Sequence, residues 1–247
     1  MAHTKHADAT VRHPWTTAQI VESLRAYGIK YLTASHNDER ASDKDTTMTR
    51  PTISQLLQAL ARAREPRVRD AVIGLLLLHP EAARDVVRVV SRARSQGEDE
   101  PAEQLITLAL AALYLQRIWW FQLSLAYEAF SALDEALFAP WRLERDLPLS
   151  IGYGEAGLRW LAVYEKQRTG AAANVVGDWQ NQAHHVISQG WSGSTPEKRS
   201  TDPALILHRQ ALLRQFMREH IEREHAMSFR PDVSREDIER FLQQFGQ

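Results

Sequence analysis

The chain has 247 residues, 44% hydrophobic and 25% charged, with a formal net charge of −1. Near-neutral charge provides no global attraction to nucleic acid or anionic lipid, so a grip on phosphates would need a local patch. The absence of cysteine excludes disulfides, thiolate-bound zinc, iron–sulfur clusters and a thiol nucleophile.

Residues 1–14 read as a disordered leader, polar and without the apolar stretch of a secretory signal. Together with the missing cysteines this makes the cytoplasm the expected location. Thr16 and Thr17 open a first helix in which Ile20, Leu24 and Tyr27 recur at helical spacing, and Gly28 stops it. Ile29 to Leu32 fits a short strand or a last contact of that helix. Residues 33–50 are polar and read as a loop. Pro51 and Thr52 start a second helix with the stripe Ile53, Leu56, Leu57 and Leu60, ending before Pro66. Pro66 to Leu78 continues as a helix apolar almost all round, which predicts burial. His79-Pro80 breaks it and begins another, with Val86, Val87, Val89 and Val90 on its apolar side. Residues 96–101, QGEDEP, read as a linker.

The longest helical run is predicted over about residues 102–138, ended by Ala139-Pro140. Within it Leu105 to Tyr127 is long enough to span a bilayer. Arg117 near its centre would cost roughly 2.5–3.5 kcal/mol there, and Trp119 and Trp120 would lie mid-membrane instead of at an interface. The central helix of a bundle is the better reading, with no membrane partner. Trp119 and Trp120 are about 100° apart on a helix, so one can fill the core while the other, with Tyr127, marks a partner surface. Trp141 to Gly157 reads as irregular, 157–167 as helix with Leu158, Leu161 and Ala162 inward, and 179–188 as a short helix. Residues 191–203 form a second linker. Ala204 to Met227 is a helix, and Ser234 with Asp237 makes a capping box for a last one. Strand signals are scarce. The expected architecture is all-α, an irregular bundle of about seven to nine helices. Its domains are a main helical domain over 15–190 and a C-terminal helical extension over 204–247.

Arg84, Arg88 and Arg92 lie four apart on one helix, preceded by Arg62, Arg64, Arg67 and Arg69. Such a cluster can contact phosphates or a partner. Interleaved Glu65, Asp70, Glu81 and Asp85 favour a solvated, ion-paired face instead. Among the histidines, His220 and Glu224 share a helical face and are weak candidates for a metal pair, but HExxH is absent. The adjacent His184 and His185 must diverge. Ile151 to Gly157 lacks the order of a phosphate loop, and GxSxG is missing. No nucleophile, base and orienter can be assembled from the sequence, so an enzyme is not the favoured reading and no cofactor is expected.

The segment PRVRDAV within residues 63–94 resembles one HEAT-type unit, although no second copy follows at a fixed period. Three further segments, VRDAVIGLLLLHPEAA, LYLQRIWWFQL and YGEAGLRWLAVYEKQRTG, resemble uncharacterised helical bacterial proteins encoded beside minimal nucleotidyltransferases in toxin–antitoxin-like pairs, over about residues 52–190. That resemblance carries no catalytic residues. It implies a non-enzymatic, regulatory protein that binds another protein, the product of an adjacent gene, as the neutralising member of a pair. The alternatives are a nucleic-acid-binding regulator using the Arg-rich pair 62–94, and a metal-dependent enzyme with a site near His220.

Overall fold

The computed structural model describes residues 15–32, 50–127, 130–145, 154–170 and 174–193. Over these the chain is all-α, and among the described residues there is no strand. Ten α-helices occur there: α1 Thr17–Ala26, α2 Ile53–Ala61, α3 Pro66–Arg69, α4 Ala71–Leu78, α5 Ala83–Ser95, α6 Asp99–Ile118, α7 Trp120–Ala126, α8 Ala139–Glu144, α9 Glu155–Thr169 and α10 Val175–Gly193. Two 3-10 turns, Pro80–Ala82 and Glu135–Leu137, join them.

Local chemistry sets the ends of the first two helices. Thr16 and Thr52 each accept from the backbone N–H three residues on, and Gln19 and Gln55 accept from the cap's own N–H in return. These are complete capping boxes. Helix α1 stops where Gly28 takes φ 87°. Its N–H reaches Arg25 O at 2.9 Å, and the Ile29 N–H reaches Leu24 O at 2.9 Å. The same Schellman closure ends α5, with Gly97 at φ 74° and the Glu98 N–H on Ala93 O at 2.9 Å. Residues 96–101 are therefore not a linker. Gln96, Gly97 and Glu98 form a tight turn, and the acidic stretch after them is the first turn of α6, where negative charge meets the positive end of the helix dipole.

Helix α6 is the axis of the molecule. Every residue from Gln104 to Gln116 is buried, because α5, α4, α9, α2 and α10 all pack around it. Helix α4 is the second interior helix, buried from Ala71 to Leu77 between α6 and α10. Helices α4 and α5 follow one another through the 3-10 turn at Pro80, but each lies chiefly on α6 rather than on the other, so residues 63–94 do not form a packed HEAT-type pair. No helix among the described residues is long and apolar enough to cross a membrane.

The long helix predicted over 102–138 is not continuous. It is interrupted at Trp119, α7 ends at Ala126, and residues 131–134 carry no helix. A buried glutamine holds the unwound residues 131–133. Gln116 donates to Ser131 O at 3.1 Å and accepts from the Leu133 N–H at 2.7 Å. The returning chain is thus held, unwound, against the end of α6, with its backbone groups satisfied by a side chain. Arg117 then pairs with Glu135 at 2.9 Å, which accounts for a cation inside an oily sequence. Trp141 is not in an irregular stretch either: Pro140 sits in the first turn of α8, where a missing N–H costs nothing. Helix α10 is longer than the predicted 179–188 and takes in residues 191–193 of the expected linker.

An ion-pair network fastens α8 to the α5–α6 corner. Glu103 accepts from Arg94 at 3.0 Å and from Arg145 at 2.5 Å, and Arg94 also reaches Glu144 at 2.8 Å. The Arg145 side chain is only 1% exposed. Burial lowers its pKa, and the nearby Glu103 opposes that shift. On the other flank Glu165 of α9 accepts from Thr107 of α6 at 3.3 Å and from Arg168 at 2.7 Å.

Candidate functional site

Chemistry-bearing groups converge where α4, α7 and α10 meet the segment 27–32. Ile29 and Leu32 are buried coil rather than strand. Between them Tyr31 turns toward α10, where its hydroxyl donates to Gln182 Oε1 at 2.6 Å and its ring stacks on His185 at 4.8 Å. Gly74 of α4 makes the space: a Cβ there would lie 2.5 Å from the Tyr31 hydroxyl. Burial raises the Tyr31 pKa, and the Asp70 charge adds to the rise.

Asp70 sits at the break between α3 and α4 and is 7% exposed. Burial pushes its carboxyl up to about 7. Arg69, with its Nε 3.9 Å away, pulls the other way, while Asp178 and Glu165 add to the rise. A contact of that length cannot replace the water the carboxylate has lost.

At the outer end of α4 a cleft of about 560 Å³ opens. Its floor is built from the ends of α1, α4 and α7 and the last turns of α10. The carbonyls there are already engaged. His79 Nε2 bonds Tyr27 O at 2.8 Å, Gln189 Nε2 donates to Gly28 O, and the Tyr27 hydroxyl donates to Pro51 O at 2.6 Å. Tyr127 donates to Val186 O at 2.6 Å, and burial raises its pKa to about 12. Gly190 lets Tyr127 in, since a Cβ there would come within 2.7 Å of its ring. Lys30 and Arg50 stand exposed at the cleft. The Arg50 guanidinium lies over the Tyr27 ring at 4.1 Å.

Helix α7 borders this cleft. Its inner face, Leu123 and Ala126, is buried, and Trp119 meets His184 of α10 edge-on at 4.4 Å. Its outer face carries Phe121 and Leu125, one turn apart and 48% and 49% exposed. Trp191, 43% exposed, is seven residues past His184 and so lies on the same side of α10. Leu143 and Val163, also exposed, are single residues on α8 and α9.

Trp119, Trp120 and Tyr127 were the residues expected at a partner surface. Trp119 and Tyr127 pack on the core, while Trp120 lies against Phe130 at 5.0 Å. All three are half-buried. The most open apolar positions of this helix are Phe121 and Leu125. Their i, i+4 spacing is legible in the sequence, but which face of α7 turns outward is not. Arg84, Arg88 and Arg92 are all exposed on α5. Arg88 pairs with Asp85 at 3.0 Å, and among the described residues Arg84 and Arg92 have no ion-pair partner. His184 and His185 diverge as expected, to Trp119 and to Tyr31. His220 and Glu224 lie outside the described residues, and no metal-holding cluster occurs among the described ones.

No family model, curated protein or solved structure matches this chain. The surfaces just described therefore have to carry the functional reading by their own chemistry.

Proposed function

We propose that this chain is a non-enzymatic, regulatory protein that docks another protein on the outer face of α7. The observation that carries the reading is the pair Phe121 and Leu125, two large apolar side chains exposed one turn apart on α7. Grouped large apolar side chains lose free energy to water that a partner surface recovers. Aromatic anchors of this kind dominate binding energies at interfaces. The resemblance to toxin–antitoxin-like pairs supports one partner in particular, the product of an adjacent gene, with this chain as the neutralising member.

The test is light scattering of the purified protein mixed with that gene product. A mass equal to the complex is expected for the wild type. Phe121→Ser combined with Leu125→Ser should weaken it at least about tenfold per residue while leaving the thermal midpoint nearly unchanged, because both side chains are already exposed. No complex at any sensible salt concentration sinks the proposal.

A second reading rests on α5. Arg84 and Arg92 carry exposed charges that no described acid pairs, so this face could grip nucleic-acid backbone as a regulator would. It predicts affinity for duplex DNA falling with salt at a log–log slope of about −2 to −3 for three phosphate contacts. Changing Arg84, Arg88 and Arg92 to Glu should abolish that binding; indifference to the change rejects this reading.

A further inference from the structure

Asp70 is buried at the break between α3 and α4 without a close partner. Its ion-pair contact is Arg69 Nε at 3.9 Å, and that nitrogen is itself buried with no hydrogen bond among the described residues. The other groups around it come from several elements. Helix α4, AVIGLLLL, brings no charge, and α2 carries none within its range. On α1 Glu22 and Arg25 are exposed and pair with each other at 3.3 Å. Arg67 of α3 is exposed as well. The segment 27–32 brings Tyr31, with His185 of α10 stacked on its ring. Helix α9 brings Glu165, and α10 brings Asp178.

The two acids differ in how firmly they are held. Glu165 is buried and bonded by Arg168 at 2.7 Å and Thr107 at 3.3 Å, so its charge is compensated in place. Asp178 is exposed and has no ion-pair partner among the described residues. It lies in the first turn of α10, the end of that helix with the fewest ties. Among the described residues, hydrogen bonds from α10 to other elements begin at Gln182, which accepts from the Tyr31 hydroxyl at 2.6 Å. They continue with Tyr127 on Val186 O and with Gln189 on Gly28 and Lys30. Before Gln182 the start of the helix is capped only locally, by Asn174 accepting from the Gly177 N–H at 3.2 Å. The buried Trp179 holds it by packing.

We infer that the first two turns of α10, Val175 to Asn181, form a gate over Asp70 that lies closed on the neutral carboxyl and lifts when the carboxyl ionises. Lifting carries the Asp178 charge away and lets water reach the carboxylate, which relieves two causes that penalise the ion in the closed form. The other neighbours cannot yield as easily. Helix α4 is buried from Ala71 to Leu77, and α9 is tied to α6 through Glu165. From Gln182 onward α10 stays seated by its bonds to Tyr31, Tyr127 and the 28–30 backbone. The closed form binds the Asp70 proton more tightly than the open one. Opening therefore becomes easier as pH rises from about 4 toward about 7, and no easier above that.

Hydrogen exchange of the full chain at several pH values between about 5 and 8 tests the gate. Each amide rate is divided by that of the unstructured peptide, which leaves the opening equilibrium. Amides of residues 179–185 should open more readily than those of α6. Their opening should rise by up to about tenfold per pH unit until about pH 7, then level off. Asp70→Asn should abolish this slope. Asp178→Asn, a change at an exposed position, should make the total rise smaller, because the like charge that the opening removes is already gone. If α10 and α6 exchange with the same opening constant, this end of α10 opens only with the whole molecule. If the α10 amides show no slope, or keep it in full in either variant, their opening does not relieve Asp70. Any of these results overturns the inference.

Discussion

Asp70→Asn is expected to stabilise the protein at about pH 8 by about 4 kcal/mol, the free energy of moving a carboxyl pKa from 3.8 to about 7. The sign follows from proton binding. The folded state holds the Asp70 proton more tightly than the unfolded chain does, so folding is favoured where the carboxyl is neutral in both states, below about pH 4. Stability then falls as pH rises toward about 7, where the folded carboxyl also ionises, and is flat above that. Asparagine has nearly the same shape and no charge, so it should remove this portion of the pH dependence. Urea unfolding followed at several pH values between about 4 and 8 measures it directly. Equal slopes for the wild type and the variant would show that Asp70 ionises as freely as a surface carboxyl.

Gly74→Val is expected to cost about 3 kcal/mol or more, at the upper end of overpacking in a close-packed core. The first added carbon would lie 2.5 Å from the Tyr31 hydroxyl and 3.3 Å from both Ile29 and Val186. The hydroxyl cannot withdraw cheaply, because Gln182 accepts from it at 2.6 Å and His185 stacks on the ring. Gly74→Ala should lose less, since alanine recovers up to about 1 kcal/mol of helix propensity. Combining it with Tyr31→Phe removes the oxygen that the new methyl strikes. The double variant should then be more stable than the sum of the single changes by about 1 kcal/mol. Chemical denaturation of the four proteins closes the cycle, and strict additivity would mean that Tyr31 does not confine Gly74.

The two sites are parts of one device. The glycine lets Tyr31 cross α4, Tyr31 ties the 27–32 segment to Gln182, and that segment carries Tyr27 and Lys30 into the cleft. Strain at Gly74 should therefore be felt at the cleft.

Much of the class and the element order is written locally in this chain. Thr16 with Gln19 and Thr52 with Gln55 specify helix starts from residues within one turn. Gly28 specifies a stop because only a residue without Cβ takes φ 87° without strain. The all-round apolar character of α4 and of α6 from Gln104 to Gln116 announces burial, because a helix with no polar face has nowhere else to lie. Arg117 likewise argues against a bilayer before any contact is known.

What the tertiary structure decided depends on residues far apart in the chain. The unwound return at residues 131–134 is held by Gln116 bonding Ser131 and Leu133, and no helical periodicity contains that pairing. The turn at Gly97 was concealed by a composition that suits linkers equally well, since glycine and acidic residues serve both a Schellman stop and the next helix's first turn. The raised carboxyl of Asp70 exists only because the folded chain buries it and brings Asp178 and Glu165 near. Phe121 and Leu125 are apolar letters like their neighbours, and only the packing of Leu123 and Ala126 inward turns them to the outside. Local chemistry thus determined which segments are helices; long-range packing decided which of their faces are covered, and with that where this protein can bind.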